Sequence, residues 1–114
     1  MNKKNKIIVF GGSGFLGSHL CDLLNEKKFE ITIYDIKKNR SNKKIKKFIK
    51  GNITDRKKIS KIATKYDYIF NFAGISDIEQ ANLNPIETIN QNFLGTVNIL
   101  ESIKNHKNLK RFVF

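Results

Sequence analysis

The chain has 114 residues and 39% apolar content, enough for one packed domain or part of one, and no apolar run approaches the length of a membrane span. A net charge of +12 comes almost wholly from lysines scattered over loops and helix surfaces. Arg40, Arg56 and Arg111 are the only arginines and no aromatics are interleaved for base stacking, which argues against a specific nucleic-acid face. The single Cys21 permits no intrachain disulfide and no metal cluster is indicated, while the four-residue apolar run near the N-terminus is too short for a signal peptide, so a cytoplasmic protein is expected.

Residues 6–10, KIIVF, read as a buried first strand ended by glycine. Phe15, Leu16, Leu20, Leu23 and Leu24 then fall at helical spacing and predict a helix to about Lys27. Residues 30–35, EITIYD, alternate and are rich in strand-forming types, giving a second strand. Residues 36–46 read as a polar, lysine-rich loop, and KFIK at 47–50 as a short third strand. Residues 54–66 open on a capping signal, Thr54 or Asp55, and place Ile59, Ile62 and Ala63 on one helical stripe. A fourth strand is expected over 66–74, YDYIFNFAG, followed by a loop or short helix over 75–84. Pro85 suits the first turn of a helix whose apolar stripe, Ile86, Ile89, Phe93, Val97, Leu100 and Ile103, runs to about Asn105. KRFVF at 110–114 closes the pattern as a fifth strand. Strands alternating with helices in this way argue for an α/β fold with a parallel sheet and right-handed crossovers.

The corner between the first strand and the first helix carries the chemistry. Gly11, Gly12, Gly14 and Gly17 satisfy both G-x-G-x-x-G and G-x-x-G-x-x-G. A sharp strand-to-helix turn needs residues without a Cβ, and a diphosphate placed there needs close approach to main-chain N–H groups and to the positive end of the helix. Gly17 falls inside the helix, where a side chain would hold helix and strand apart. Asp35, eighteen residues after Gly17 at the end of the second strand, is placed to accept hydrogen bonds from adenosine ribose hydroxyls and to repel a 2′-phosphate, which favours NAD over NADP. Tyr34 and Lys38 spell Y-x-x-x-K, but on a strand end entering a loop they do not share a face, and the spacing reads as coincidence. His19 and His106 stand apart from any acid or nucleophile at a suggestive spacing.

Four motifs together resemble the N-terminal half of the extended short-chain dehydrogenases/reductases of the NAD-dependent epimerase/dehydratase family. GGSGFLG (11–17) is similar to the family's glycine loop. GNITD (51–55) is similar to its adenine-contacting segment, with Asn52 where the family usually has Asp. NFAGIS (71–76) resembles the end of the fourth strand beside the nicotinamide ribose. NQNFLGT (90–96) resembles the helix motif, with Asn92 and Gly95 at its key positions. The resemblance implies a three-layer, Rossmann-like sandwich with strand order 3-2-1-4-5, spanning residues 1–114 and stopping after the fifth strand. It implies NAD lying across the strand ends: pyrophosphate on residues 12–16 with Phe15 and Leu16 donating N–H groups, ribose on Asp35, and adenine on Asn52 and Ile53. Phe72, Ala73 and Gly74 would flank the middle of the cofactor, and Asn92 would organise the strand ends.

In the complete enzymes of the family a catalytic Ser or Thr, a Tyr–Lys helix and a nucleotide-sugar lobe follow the fifth strand, and none of these can be carried onto a residue here. The expectation is therefore the NAD-binding portion of a nucleotide-sugar epimerase or dehydratase, inactive by itself and marginal or self-associating, with the 85–105 helix a plausible homodimer face in the complete enzyme. Two alternatives stand beside it: a dinucleotide sensor without catalysis, and a basic nucleic-acid-binding module.

Overall fold

The computed structural model describes residues 3–39 and 44–114; Arg40 and the rest of the 40–43 stretch of the basic loop lie outside the described residues. The elements are β1 (Lys6–Phe10), α1 (Phe15–Glu26), β2 (Glu30–Asp35), β3 (Lys47–Lys50) and α2 (Arg56–Ile62), which tightens into a 3₁₀ turn at Ala63–Lys65. They continue with β4 (Tyr68–Asn71), α3 (Ile78–Leu83), α4 (Pro85–Ile89), a π-helical turn (Asn90–Leu94), α5 (Gly95–Ile103) and β5 (Arg111–Val113). The five strands are parallel and ordered β3-β2-β1-β4-β5, the Rossmann-like order expected.

Alternation along β1 splits the core in two. Ile8 and Phe10 face one layer, where they pack with Tyr34, Ile53, Ile59, Ala63, Ile69, Ile99 and Ile103 beneath α2 and α5. Ile7 and Val9 face the other, with Cys21, Ile31, Ile33 and Ile45. Cys21 is a small buried residue of α1. The register places Phe10 level with Tyr34 and with Asn71, and Asp35 level with Lys50, so the C-terminal ends of four strands form one rim.

Three expectations are corrected. β4 ends at Asn71 rather than Gly74. Phe72 N–H still donates to Phe10 O (2.8 Å), but Asn71 Oδ1 then accepts from Ala73 N–H (3.1 Å), and this local turn draws the main chain out of the ladder. The 85–103 helix is not a continuous α-helix: Gly95 N–H donates to Asn90 O, five residues back, and a π-helical turn interrupts it. Its inward face is made by Gly95, Ile99 and Ile103, whereas Ile86, Ile89, Phe93, Val97 and Leu100 are exposed. The helix is apolar on two sides, and periodicity finds a stripe without saying which side the sheet covers. In α1, likewise, Phe15, Leu16 and Leu23 are exposed, and the covered side is Gly17, Ser18 and Cys21 with Leu20 and Leu24 half-buried. Asp55 is the cap of α2, accepting from Lys58 N–H at 3.0 Å.

Candidate dinucleotide site

The rim opens into a trough divided into two adjoining cavities. One, of about 520 Å³, lies over β2 and β3 and is lined by Ser13, Asp35, Lys37, Asn52, Glu87 and Gln91, with Tyr34, Ile36, Gly51 and Ile53. The other, of about 560 Å³, lies over β4 and the start of α1 and is lined by Phe15, Leu16, Gly17, Asn71, Ser76, Asn92, Thr96 and Phe114. Gly11, Gly14, Phe72, Ala73, Gly74 and Ile75 wall both. Each volume is in the range of small-molecule sites.

The shared wall depends on two glycines. Gly11 has φ +77°, a left-handed conformation, and a Cβ there would sit 2.5 Å from the main chain of Phe72 and Ala73. At Gly17 a Cβ would lie 2.1 Å from Gly11 O, so α1 can press against the loop only with hydrogen at that position. Gly12 lines neither cavity; a side chain there would run into Ile33, which gives it a packing role beneath the loop. Gly14 is the N-cap of α1 and supplies no side-chain cap, so the first-turn N–H groups of Phe15 and Leu16 keep their positive end toward the trough.

Asp35 is turned toward the glycine loop. Its Oδ2 accepts from Ser13 N–H (3.0 Å), and its Oδ1 from Ile36 N–H (2.7 Å) and, at longer range, Lys37 N–H (3.4 Å). It makes no ion pair with a described residue, and a carboxylate with about four lone-pair directions retains acceptor capacity for ribose hydroxyls. Asn39 closes this edge, its N–H donating to Ser13 Oγ (3.2 Å) and its Nδ2 to Ser13 O (3.0 Å). Tyr34 lies beneath: its hydroxyl donates to Asn52 O (2.8 Å), and burial with the Asp55 charge pushes the phenol up to about 12. Tyr34 is on β2 and Lys38 in the loop beyond it, so no helical Tyr–Lys pair forms.

The π-helical turn serves both cavities from adjacent residues. Asn92 clamps the loop after β4, accepting from Ile75 N–H on Oδ1 (2.6 Å) and donating from Nδ2 to Ile75 O (2.8 Å). A Cβ on Gly74 would lie 2.6 Å from that Oδ1, so a small residue is required beside the clamp. Gln91 reaches the other way, its Nε2 donating to Asn52 Oδ1 (3.1 Å) and Glu87 Oε1 (2.7 Å). Gly95 then lets the helix close on Ile53, whose side chain is 2.7 Å from where a Cβ would stand, the close packing that compensates a glycine inside a helix.

The trough thus gathers Gly11, Gly14, Phe15, Leu16, Gly17, Asp35, Asn52, Ile53, Phe72, Ala73, Gly74 and Asn92 of the sequence-derived site. It also includes Ser13 of the 12–16 stretch, and adds Lys37, Glu87 and Gln91. Glu87 carried no signal, and Gln91, though inside the NQNFLGT motif, showed no role in the sequence, because its reach to Asn52 spans 39 residues. Among the described residues no cluster of metal-ligating side chains occurs, and no helix is long and apolar enough to cross a membrane.

Known proteins share this fold. The chain is 33% identical over 132 residues to dTDP-D-glucose 4,6-dehydratase of Dictyostelium discoideum, covering 100% of this chain and 30% of that protein. It is 27% identical over 119 residues to UDP-glucose 4-epimerase of Mycoplasma genitalium, covering 96% and 35%. The Bordetella bronchiseptica enzyme WbmF, solved in complex with NAD+, superposes with a TM-score of 0.85 at 26% identity, over 96% of this chain and 35% of that one. The chain therefore spans about a third of the length of these relatives. The family model described as "NAD dependent epimerase/dehydratase family" matches residues 7–114, and the chain belongs to that family.

Proposed function

We propose that these 114 residues are the NAD-binding portion of a nucleotide-sugar epimerase or dehydratase that works by transient hydride transfer to NAD. The observation that carries the reading is Asp35, whose carboxylate is drawn by Ser13 N–H to the strand-to-helix corner where α1 begins uncapped. A diphosphate on the corner's N–H groups and a ribose diol on the carboxylate are what that pairing accommodates. Gly11, Gly12, Gly14, Phe15, Leu16 and Gly17 form the pyrophosphate corner in this reading. Asn52 and Ile53 meet the base, Phe72, Ala73 and Gly74 flank the centre, and Asn92 fixes the loop beneath the nicotinamide end. When bound, NAD supplies the hydride acceptor; this chain's residues bind and orient it. A cytoplasmic setting belongs to the same reading, and neither a membrane nor a specific nucleic acid enters it.

The exposed stripe Ile86, Ile89, Phe93, Val97 and Leu100 is the proposed homodimer face of the complete enzyme. Titration calorimetry tests the cofactor reading. NAD is expected to bind more tightly than NADP, and Asp35→Ala to weaken NAD by about tenfold or more, the scale of a hydrogen bond to a charged group. Tighter binding of NADP contradicts the assignment, and turnover of UDP-glucose by the 114-residue chain contradicts a binding role without catalysis.

A further inference from the structure

We infer that Asn52 meets the purine of the dinucleotide as a hydrogen-bond donor, through Nδ2, so that the chain accepts a 6-oxopurine dinucleotide about as well as NAD; this rests on the NAD reading above. Asn52 stands where the family usually has an acid, and its side-chain oxygen would be the natural acceptor for the adenine 6-amine. That oxygen is already taken. Asn52 Oδ1 accepts from Thr54 N–H (3.0 Å), Thr54 Oγ1 (2.9 Å) and Gln91 Nε2 (3.1 Å).

The orientation of the amide is fixed by chemistry. The Thr54 main-chain N–H is only a donor, and a flipped Asn52 would set N–H against N–H. Gln91 is fixed in the same way, since its Nε2 also donates to Glu87 Oε1 (2.7 Å), a carboxylate oxygen. Asn52, Gln91 and Glu87 all line the cavity over β2 and β3. Nδ2 donates to no described residue, and it is the polar group of this side chain left to the ligand. A donor gains nothing from an adenine amine, which is also a donor, but pairs with a 6-oxo acceptor. A carboxylate at the same place has the opposite preference.

The test is the pair of dissociation constants for NAD and nicotinamide hypoxanthine dinucleotide, measured on the chain and on Asn52→Asp. The substitution keeps one oxygen for Thr54 and Gln91 and puts a second acceptor in place of Nδ2. The unsubstituted chain is expected to bind the two dinucleotides within about fivefold of each other, and Asn52→Asp to shift the ratio toward NAD by about fivefold or more, the scale of one hydrogen bond made or opposed. A preference of the unsubstituted chain for NAD beyond fivefold, or a smaller shift in Asn52→Asp, overturns the inference and leaves the NAD reading standing. Binding of neither dinucleotide overturns the NAD reading and this inference with it.

Discussion

The two cavities that share the Gly11 and Phe72–Gly74 wall differ in kind. The one over β2 and β3 holds ionisable groups, Asp35, Lys37 and Glu87, together with the amides of Asn52 and Gln91. The one over β4 and α1 is lined among the described residues by glycines, apolar side chains, two asparagines and the hydroxyls of Ser76 and Thr96, with no acid, amine, imidazole or phenol. General acid–base work needs a side chain that exchanges a proton near neutral pH, and the nicotinamide side of the proposed site has none on this wall. In the proposed reading the contrast separates holding from reacting: the cavity over β2 and β3 carries charged groups, while the one over β4 offers shape and a clamped loop.

The largest way to break the comparison is at the shared wall. Gly17→Ala sets a methyl 2.1 Å from Gly11 O, against main chain that cannot move without opening the corner. A loss of NAD affinity of about 100-fold or more is expected, with circular dichroism reporting whether the fold survives. Gly14→Ala, where the nearest atom is Gly11 O at 3.3 Å, is expected to lose less than about tenfold. If Gly14→Ala proved the more damaging, the corner would not be built as described.

A smaller effect lies behind the wall. Gly95→Ala gains about 1 kcal/mol of helix propensity but drives a methyl into Ile53, where overpacking costs about 1–3 kcal/mol. A net loss of up to about 2 kcal/mol is expected as a lower urea midpoint, and an unchanged midpoint would show that Ile53 gives way.

A further effect appears only in alkali. Burial, with the Asp22 charge, pushes the Cys21 thiol up to about 12 from 9.0, and Tyr34 rises to about 12 from 10.0. Both folded-state values are raised, so between pH 9 and 12 the unfolded chain has released protons that the folded chain retains. Stability is then independent of these groups below about pH 9 and falls as pH rises to about 12. Equilibrium unfolding against pH measures this, and Tyr34→Phe should remove the phenol's share of the slope.

What could be read from the sequence was what the main chain dictates. Gly11 and Gly17 announce a corner because no other residue fits there, and Asp35 stands out by ending a strand beside that corner. The β-α order carries the sheet, since parallel strands need crossovers. What the sequence hid depends on side-chain contacts and on which face the sheet covers. The outward stripe from Ile86 to Leu100 has the same period as the inward Gly95, Ile99 and Ile103, so periodicity alone did not orient the helix. The end of β4 turned on one Asn71 side-chain hydrogen bond. The hydrogen-bonding sense of Asn52 turned on Thr54 and on Gln91, 39 residues along the chain in the π-helical turn.

The measurement that meets the central claim most directly is amide chemical-shift mapping of the ¹⁵N-labelled chain titrated with NAD. The account predicts that perturbations concentrate at residues 11–17, at Asp35, at 51–53 and at 72–75, along the trough over the strand ends. Perturbations gathered instead at the opposite ends of the strands, around Lys6, Tyr68 and Arg111, or none at saturating NAD, would contradict it.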